Sequence, residues 1–498
     1  MTDFPVLSLL IFLPLIAVLF LPLLPDNNSV RGFTLVILFF NFLVATWLLV
    51  VFDNNTAQMQ FKENLPWVPS LGIAYKLGID GVSVLFIFLT SLLGWICVVA
   101  SWNAIHERVK EFMSCLMVMQ SLMLGVFCAL DLFLFYVFWE TMLVPMYLII
   151  GIWGGSNRIY AAYKFFLYTL AGSLLFLVGI LVLYFAGGQT FDILKLMDGQ
   201  YDFNLQAWVF IAFLIAFAVK VPMFPLHTWL PDAHVQAPTA GSIILAGVLL
   251  KMGAYGFIRF SLPMLPDASQ YFAPLMQSLS AIAIIYGGFL ALAQTDIKKL
   301  IAYSSISHMG FVTLGLFTFT INGTSGAVIQ MFNHGITTGA LFLFVGLVYE
   351  RTHSRNITAY GGLIKVIPLY GILFASFLLS AMAVPGTNSF IGEILVLSGA
   401  YGVNNWAASA GVFGALLGAA YILGLYRQML LGPVVVPVGA KMRDLNIREL
   451  CCALPLLLFV FWLGLYPKPF LSILYPTLEH LLMQTQGQTL VQSIGGNL

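Results

Sequence analysis

Charge is what this sequence has least of. Only 8% of its 498 residues are Asp, Glu, Lys or Arg, 60% are hydrophobic, and the mean hydropathy is +0.97. No polar stretch is long enough for a soluble domain of ordinary size. The composition is that of an all-α polytopic membrane protein almost from end to end. Basic and acidic residues nearly balance at net +1, and no long Lys/Arg cluster occurs, which excludes a nucleic-acid footprint. Cysteine is scarce as well. Cys97, Cys115, Cys128, Cys451 and Cys452 form no CxxC pair and lie in or beside apolar runs. They read as buried small hydrophobes, so no metal ion, iron–sulfur cluster or other redox cofactor is expected in this chain. The first apolar run, Leu7 to Leu24, lacks a basic leader and a small-residue cleavage site, and is expected to be a retained span.

What the chain has is spans. Apolar windows of about 20 residues fall near 6–24, 33–52, 81–101, 112–129, 131–152, 162–186 and 205–230. Others follow near 240–260, 275–294, 299–318, 325–349, 364–403, 405–427 and 450–467. The 205–230 window is broken by prolines, and 364–403 by Pro385-Gly386. That makes about fourteen transmembrane helices. Basic residues support the count. Arg31, Arg108, Lys110, Arg158, Lys164, Lys298, Lys299, Arg351, Arg355, Lys365, Arg427, Lys441, Arg443 and Arg448 fall in odd-numbered loops. Only Lys62, Lys76, Lys195, Arg259 and Lys468 fall in the even loops and the tail. The bias puts the odd loops in the cytoplasm and both termini on the periplasmic side.

An internal repeat is visible. Phe165, Gly172 and Val178-Gly179 recur, at one offset, as Phe332, Gly339 and Val345-Gly346. Arg259 and Arg427 close two spans at nearly the same offset, and Pro222 and Pro385 break two others. The reading is two inverted five-helix repeats, each containing a broken helix, as in ion-translocating proteins with a site near the midplane. The expected divisions are 1–110 (three helices), 111–260 (first repeat), 261–430 (second repeat) and 431–498 (last helix and C-terminal tail).

Into this apolar chain are set a few costly residues. Lys220 and Lys251 lie near the middle of hydrophobic spans, where each costs roughly 2.5–3.5 kcal/mol on insertion scales. Glu140 lies nine residues along its span from Asp131, near mid-membrane. It is either a proton-active acid or a protonated, hydrogen-bonded one that holds helices together. Burial lowers a lysine's proton affinity and a nearby carboxylate raises it. A Glu140–Lys220 pair of variable spacing would therefore take up and release a proton, whereas a fixed pair would be merely structural. Lys251 has no acid close in sequence and is expected to face a hydrated or polar interior. His308 and His334 sit among Ser, Thr and Asn, as relays or as structural residues. His227 and His234, beside the first break, divide between relay and loop-fixing roles. Glu393 follows the second break and reads as a second proton-active acid. Asp80, Asp131, Asp232 and Asp296 lie near span ends and are expected to cap or anchor. In chain order, Glu140, Lys220, Lys251, His308 or His334, and Glu393 form a series of acids and bases able to pass a proton sideways through water.

These motifs also resemble a known family. LGIDGVSVLF (77–86), DLFLFYVFWETMLVPMYLIIGIWGG (131–155), YAAYKFFLYTLAGS (160–173) and KVPMFPLHTWLPDAHVQAPT (220–239) are similar to the antiporter-like subunits of respiratory complex I. So are LLKMGAYGFIRF (249–260), DIKKLIAYSSISHMG (296–310), FNHGITTGALFLFVG (332–346) and AVPGTNSFIGE (383–393). The resemblance covers about 77–430 and is strongest to the M, or chain 4, type. Glu393 carries that distinction, because the sister L and N types and multisubunit cation/proton antiporters usually have lysine there. The resemblance implies that Glu140 pairs with Lys220, that Lys251 is the central lysine, and that Glu393 closes the path toward the opposite surface. It implies a proton-translocating subunit of a bacterial inner-membrane NADH:quinone oxidoreductase, beside L- and N-type neighbours. NADH, FMN, iron–sulfur clusters and quinone would be held by partner subunits. The alternatives are a cation/proton antiporter subunit, a ferredoxin- or hydrogenase-linked relative, and a non-pumping spacer of the membrane arm.

Overall fold

The computed structural model describes residues 4–437 and 442–495; the two chain ends and 438–441, with Lys441, lie outside the described residues. Helices dominate because apolar side chains fill both faces of most segments, and in a bilayer each backbone group must be satisfied within its own segment. The crossing elements begin with α1 (Val6–Val18), α2 (Asn27–Val51), α3 (Gly81–Ala100) and α4 (Val109–Cys128). They continue with α5 (Leu132–Trp153), α6 (Arg158–Ala186), α7 (Phe203–Lys220), α8 (Trp229–Gln236) and α9 (Thr239–Met264). The second half holds α10 (Ala273–Leu292), α11 (Ile297–Leu316), α12 (Ile321–Thr352), α13 (Pro368–Ala381), α14 (Asn388–Tyr401) and α15 (Asn405–Leu430). The last two helices are α16 (Ile447–Leu465) and α17 (Lys468–Gly495).

Among the described residues, twelve helices are long and apolar enough to cross a membrane. Outside that set lie the serine-rich α11, which is long but less apolar, the shorter α8, α13 and α14, and the C-terminal α17. Asp131 caps α5 through the Phe133 and Leu134 N–H groups and bridges to Asp192; Asp296 caps α11 through Lys298 and Lys299 and bridges to Asn356. Burial pushes the Asp131 carboxyl up to about 6, against the pull of backbone N–H groups from Leu134, Ala74 and Phe133.

Two elements depart from the sequence reading. Residues 60–79 form an antiparallel hairpin, β1 (Gln60–Val68) with β2 (Ile73–Ile79), so the chain is not wholly helical. The expected C-terminal tail begins with a further helix, α17. The hairpin has a task. Helix α1 has no cap from its own Pro5, and Glu63 of β1 supplies one by accepting the Leu7 N–H at 2.8 Å and the Ser8 N–H at 3.2 Å. A carboxylate there also complements the positive end of the helix dipole. Glu63→Ala is expected to cost α1 about 0.5–2 kcal/mol. Hydrogen exchange at the first-turn amides should speed up several-fold, while α3 keeps its protection.

Burial sorts the helices. The apolar windows of α9 and α12 are 100% buried and that of α3 is 94% buried, whereas α2 is only 28% buried. The interior is therefore built on α3, α9 and α12.

Candidate functional site

Both helix breaks carry backbone that a regular helix cannot. Pro222 and Pro225 cannot continue α7, and positive φ occurs at Ala383 and Gly386 between α13 and α14. Each break exposes polar groups to the protein interior, the setting in which non-helical backbone is tolerated at membrane depth.

The first break presents Lys220, the last residue of α7. Its side chain is 2% exposed and its Nζ has no hydrogen-bond partner among the described residues. The ammonium lies 4.8 Å from the centroid of the Trp139 ring, a buried cation–π contact. Glu140 follows Trp139, half-buried, with the Ser173 hydroxyl of α6 beside it and its Oε2 unpartnered. The two residues are close enough to interact through their charges, yet no ion pair within 4.0 Å joins them. Gly172 brings α6 onto the α7 backbone, since an added Cβ would lie 3.2 Å from Ala216 Cα.

Lys251 sits at the centre of the fully buried α9. The helix there is α-helical only over Leu250–Gly256, between π-helical turns at Leu245–Leu249 and Phe257–Ser261. Such insertions frequently mark functional positions. The Lys251 ammonium donates to the Ala246 carbonyl, inside the first π turn, and meets His334 Nδ1 of α12 at 2.6 Å. Gly253 lets α9 close on the first half-site, because an added Cβ would stand 2.9 Å from Lys220 Cβ.

From His334 the polar run continues. Its ring centroid is 5.8 Å from that of His308 on α11, and His308 Nδ1 lies 3.2 Å from Glu393 Oε1 on α14. Gln330 also donates to Glu393 Oε1, at 3.3 Å. Lys251, His334, His308 and Glu393 are all buried. The second break is pinned beside them: Asn333 donates to the Asn388 carbonyl at 2.6 Å, and Ser380 donates to Asn388 Oδ1 at 2.6 Å.

A lysine donating to Nδ1 leaves the neutral imidazole its proton on Nε2. A proton passed from Lys251 to Nδ1 would thus release the Nε2 proton on the far side of the ring. His334 Nε2 is buried and has no hydrogen-bond partner among the described residues.

Of the expected site residues, Glu140 and Lys220 come together, and Lys251, His334, His308 and Glu393 come together. His227 does not join either group; its ring packs against Phe224 and Tyr286, and its Nδ1 has no partner. Asp80 and Asp296 cap as expected, and Asp232 instead holds Lys164 at 2.7 Å. His234 gains a place. It is fully buried, stacks on Phe342, keeps both ring nitrogens unpartnered, and lies within range of the charges on Lys251 and Lys298. Lys298, itself buried, donates to the Ala237 carbonyl at 2.6 Å and borders a cavity of about 770 Å³. Glu350, His106, His353 and Arg355 line the same cavity. Sequence reasoning missed Gln330, Asn388 and Lys298; the polar setting of His334 was the only signal for the first two.

A family model described as NADH:quinone oxidoreductase/Mrp antiporter, TM, matches residues 129–418. NADH-quinone oxidoreductase subunit M of Rhodobacter capsulatus is 45% identical, over 99% of either chain. NADH-ubiquinone oxidoreductase chain 4 of Marchantia polymorpha is 44% identical, over 95% of this chain and 96% of its own. Among solved structures, a chain of respiratory complex I from Thermus thermophilus with bound NADH superposes with a TM-score of 0.89 at 31% identity. That match covers 96% of this chain and 99% of the other. A chain of the Mrp complex from Dietzia sp. DQ12-45-1b shares the fold, with a TM-score of 0.86 at 19% identity, over 96% of this chain and 98% of its own.

Proposed function

This chain belongs to the NADH:quinone oxidoreductase/Mrp antiporter transmembrane family, and from that premise we propose that it moves protons along its own buried Glu/Lys/His series. It is a membrane subunit of a proton-translocating NADH:quinone oxidoreductase, of the M or chain 4 kind, and so part of an enzyme complex. The observation that carries the proton route is the buried run from Lys251 through His334 and His308 to Glu393.

Closing the Glu140–Lys220 gap favours a charged Lys220, and opening it favours release of that proton. A change of charge at Lys220 acts on Lys251 across the α7–α9 contact at Gly253. Lys251 then hands a proton to His334 Nδ1, and the Nε2 proton passes by way of His308 to Glu393. Uptake runs from the cavity at Lys298 by way of His234, which suits cytoplasmic loops there. His227 positions the first break. Glu393, where cation/proton antiporters usually have lysine, favours this reading over an antiporter subunit. NADH, FMN, iron–sulfur clusters and quinone would reside in other subunits, with L- and N-type chains on the flanks. The whole would sit in a bacterial inner membrane with both termini on the periplasmic side.

The test uses the purified complex in liposomes, with proton uptake and NADH oxidation followed together. Glu140→Ala and Lys220→Ala should each assemble and lose most proton transport along with the coupled electron flow. Normal pumping by both variants would remove the role and leave a structural spacer.

A further inference from the structure

The second break holds a space that the proposed proton route does not use. A cavity of about 10 Å³ lies between α11, α13, α14 and α15, and His308, Ala381, Glu393, Gly418 and Tyr421 are among the residues that line it. That is roughly the room one water needs. Glu393 forms one wall. Its Oε1 meets His308 Nδ1 at 3.2 Å and accepts from Gln330 at 3.3 Å. Tyr421 forms another. It is 3% exposed, near enough to Glu393 to feel its charge, and beside Ser304, which lies one turn from His308 on the same face of α11.

The packing of α15 leaves the space open. Gly411, Gly414, Gly418 and Tyr421 share one face of that helix. An added Cβ would lie 2.6 Å from Leu397 Cδ2 at Gly411 and 2.0 Å from Ile284 Cγ2 at Gly414, so close contact with α14 and α10 requires both glycines. At Gly418 the nearest side-chain atom is the Tyr421 hydroxyl oxygen, at 3.8 Å. No neighbouring helix requires this third glycine. A methyl there would enter the cavity.

A phenol can receive a carboxyl in both of its forms, because its oxygen accepts from a protonated acid and its O–H donates to a carboxylate. Given the proton route proposed above, on which this inference rests, we propose that Glu393 is a two-position carrier. Its carboxyl moves across the cavity between His308 and Tyr421, with Tyr421 as a positioning residue and Gly418 supplying the room. The proton given up at His308 Nδ1 forms the O–H bond of Glu393 and travels with it. A carboxyl turned to Tyr421 has left the ring nitrogen, so the proton cannot step straight back.

The test compares Tyr421→Phe, Gly418→Ala and Glu393→Gln in the assembled complex in liposomes. Tyr421→Phe removes only a hydroxyl, and Gly418→Ala removes only the room. Alanine favours a helix over glycine, so Gly418→Ala should assemble with an unchanged or higher melting temperature. Each of these two should lower proton uptake several-fold together with coupled NADH oxidation, and their combination should be little worse than either. Normal pumping by either one would overturn the carrier. If Glu393→Gln loses pumping while the other two pump normally, the carrier alone is refuted. Normal pumping by Glu393→Gln would refute the route through Glu393 and the carrier with it. In maps of the native complex at rest and under turnover, the Glu393 carboxyl should be found both on His308 and within hydrogen-bonding distance of the Tyr421 hydroxyl. In Gly418→Ala it should stay on His308. A native Glu393 fixed on His308 in every state, with a water lodged in the cavity, would also overturn the proposal.

Discussion

Lys251→Met is expected to assemble normally and to lose proton transport and coupled NADH oxidation together, by roughly tenfold or more. Methionine keeps most of the volume, so α9 stays packed. What disappears is the ammonium that meets His334 Nδ1 at 2.6 Å, leaving Thr338 Oγ1 at 3.5 Å. Tenfold corresponds to ~1.4 kcal/mol, a modest demand for removing a group that gains and loses a proton in each cycle of the proposed route. Lys251→Arg should fail as well, because a guanidinium keeps its charge at any working pH. His334→Leu should resemble Lys251→Met, and the double variant should be little worse than either alone, since both interrupt one route. Proton uptake in liposomes, per NADH consumed, is the measurement. A Lys251→Met complex that pumps at the native ratio would remove the lysine from the route.

Arg259→Ala is expected to act on assembly rather than on transport. Arg259 Nη2 meets Asp80 Oδ2 at 2.7 Å, and both side chains are nearly inaccessible. Arg259 also donates to the Tyr255 hydroxyl at 3.1 Å and to Ser83 Oγ at 3.2 Å. Breaking a buried pair from one side leaves the other charge stranded, at about 3–5 kcal/mol. The stranded Asp80 is also the cap of α3, through the Ser83 N–H at 2.9 Å. Its carboxylate therefore cannot simply turn away. The amount of intact complex on native gels should fall severely, and its melting temperature with it. Asp80→Asn/Arg259→Met, which removes both charges and keeps a cap, should recover much of the loss. Equal loss in the single and double variants would show that the pair's charge is not what matters.

Much of this was legible in the sequence because membranes impose simple rules. Span length, basic loops and the proline breaks are direct consequences of bilayer thickness and backbone satisfaction. Asp131 and Asp296 announced helix starts by position alone. The hairpin was not legible: β1 contains Lys62, Glu63 and Pro66 and shows no clean alternation toward a core. The π turns around Lys251 leave no trace either, since a fully buried helix is apolar on every side. The residues of the site were legible one at a time, as costly exceptions. Their grouping was not, because the Lys251–His334 contact depends on how α9 and α12 cross. His227, read from its place beside the first break as either relay or loop-fixing, packs against Phe224 and Tyr286.

The complete burial of α9 and α12 has a further consequence. Lys251 and His334 ride on the two helices whose apolar windows are closed off by protein alone, while α2 and α6 form the flanks, at 28% and 39% burial. Acyl-chain length, fluidity and temperature act on a membrane protein through the helices that lipid touches, by tilt and local thinning. On the faces that lipid reaches rather than a neighbouring subunit, such stresses fall on outer helices such as α2 and the 29-residue α6, long enough at about 1.5 Å per residue to tilt in response. The buried ionisable residues stand away from them, so a host that remodels its lipids between cold and warm growth need not retune the proposed proton route.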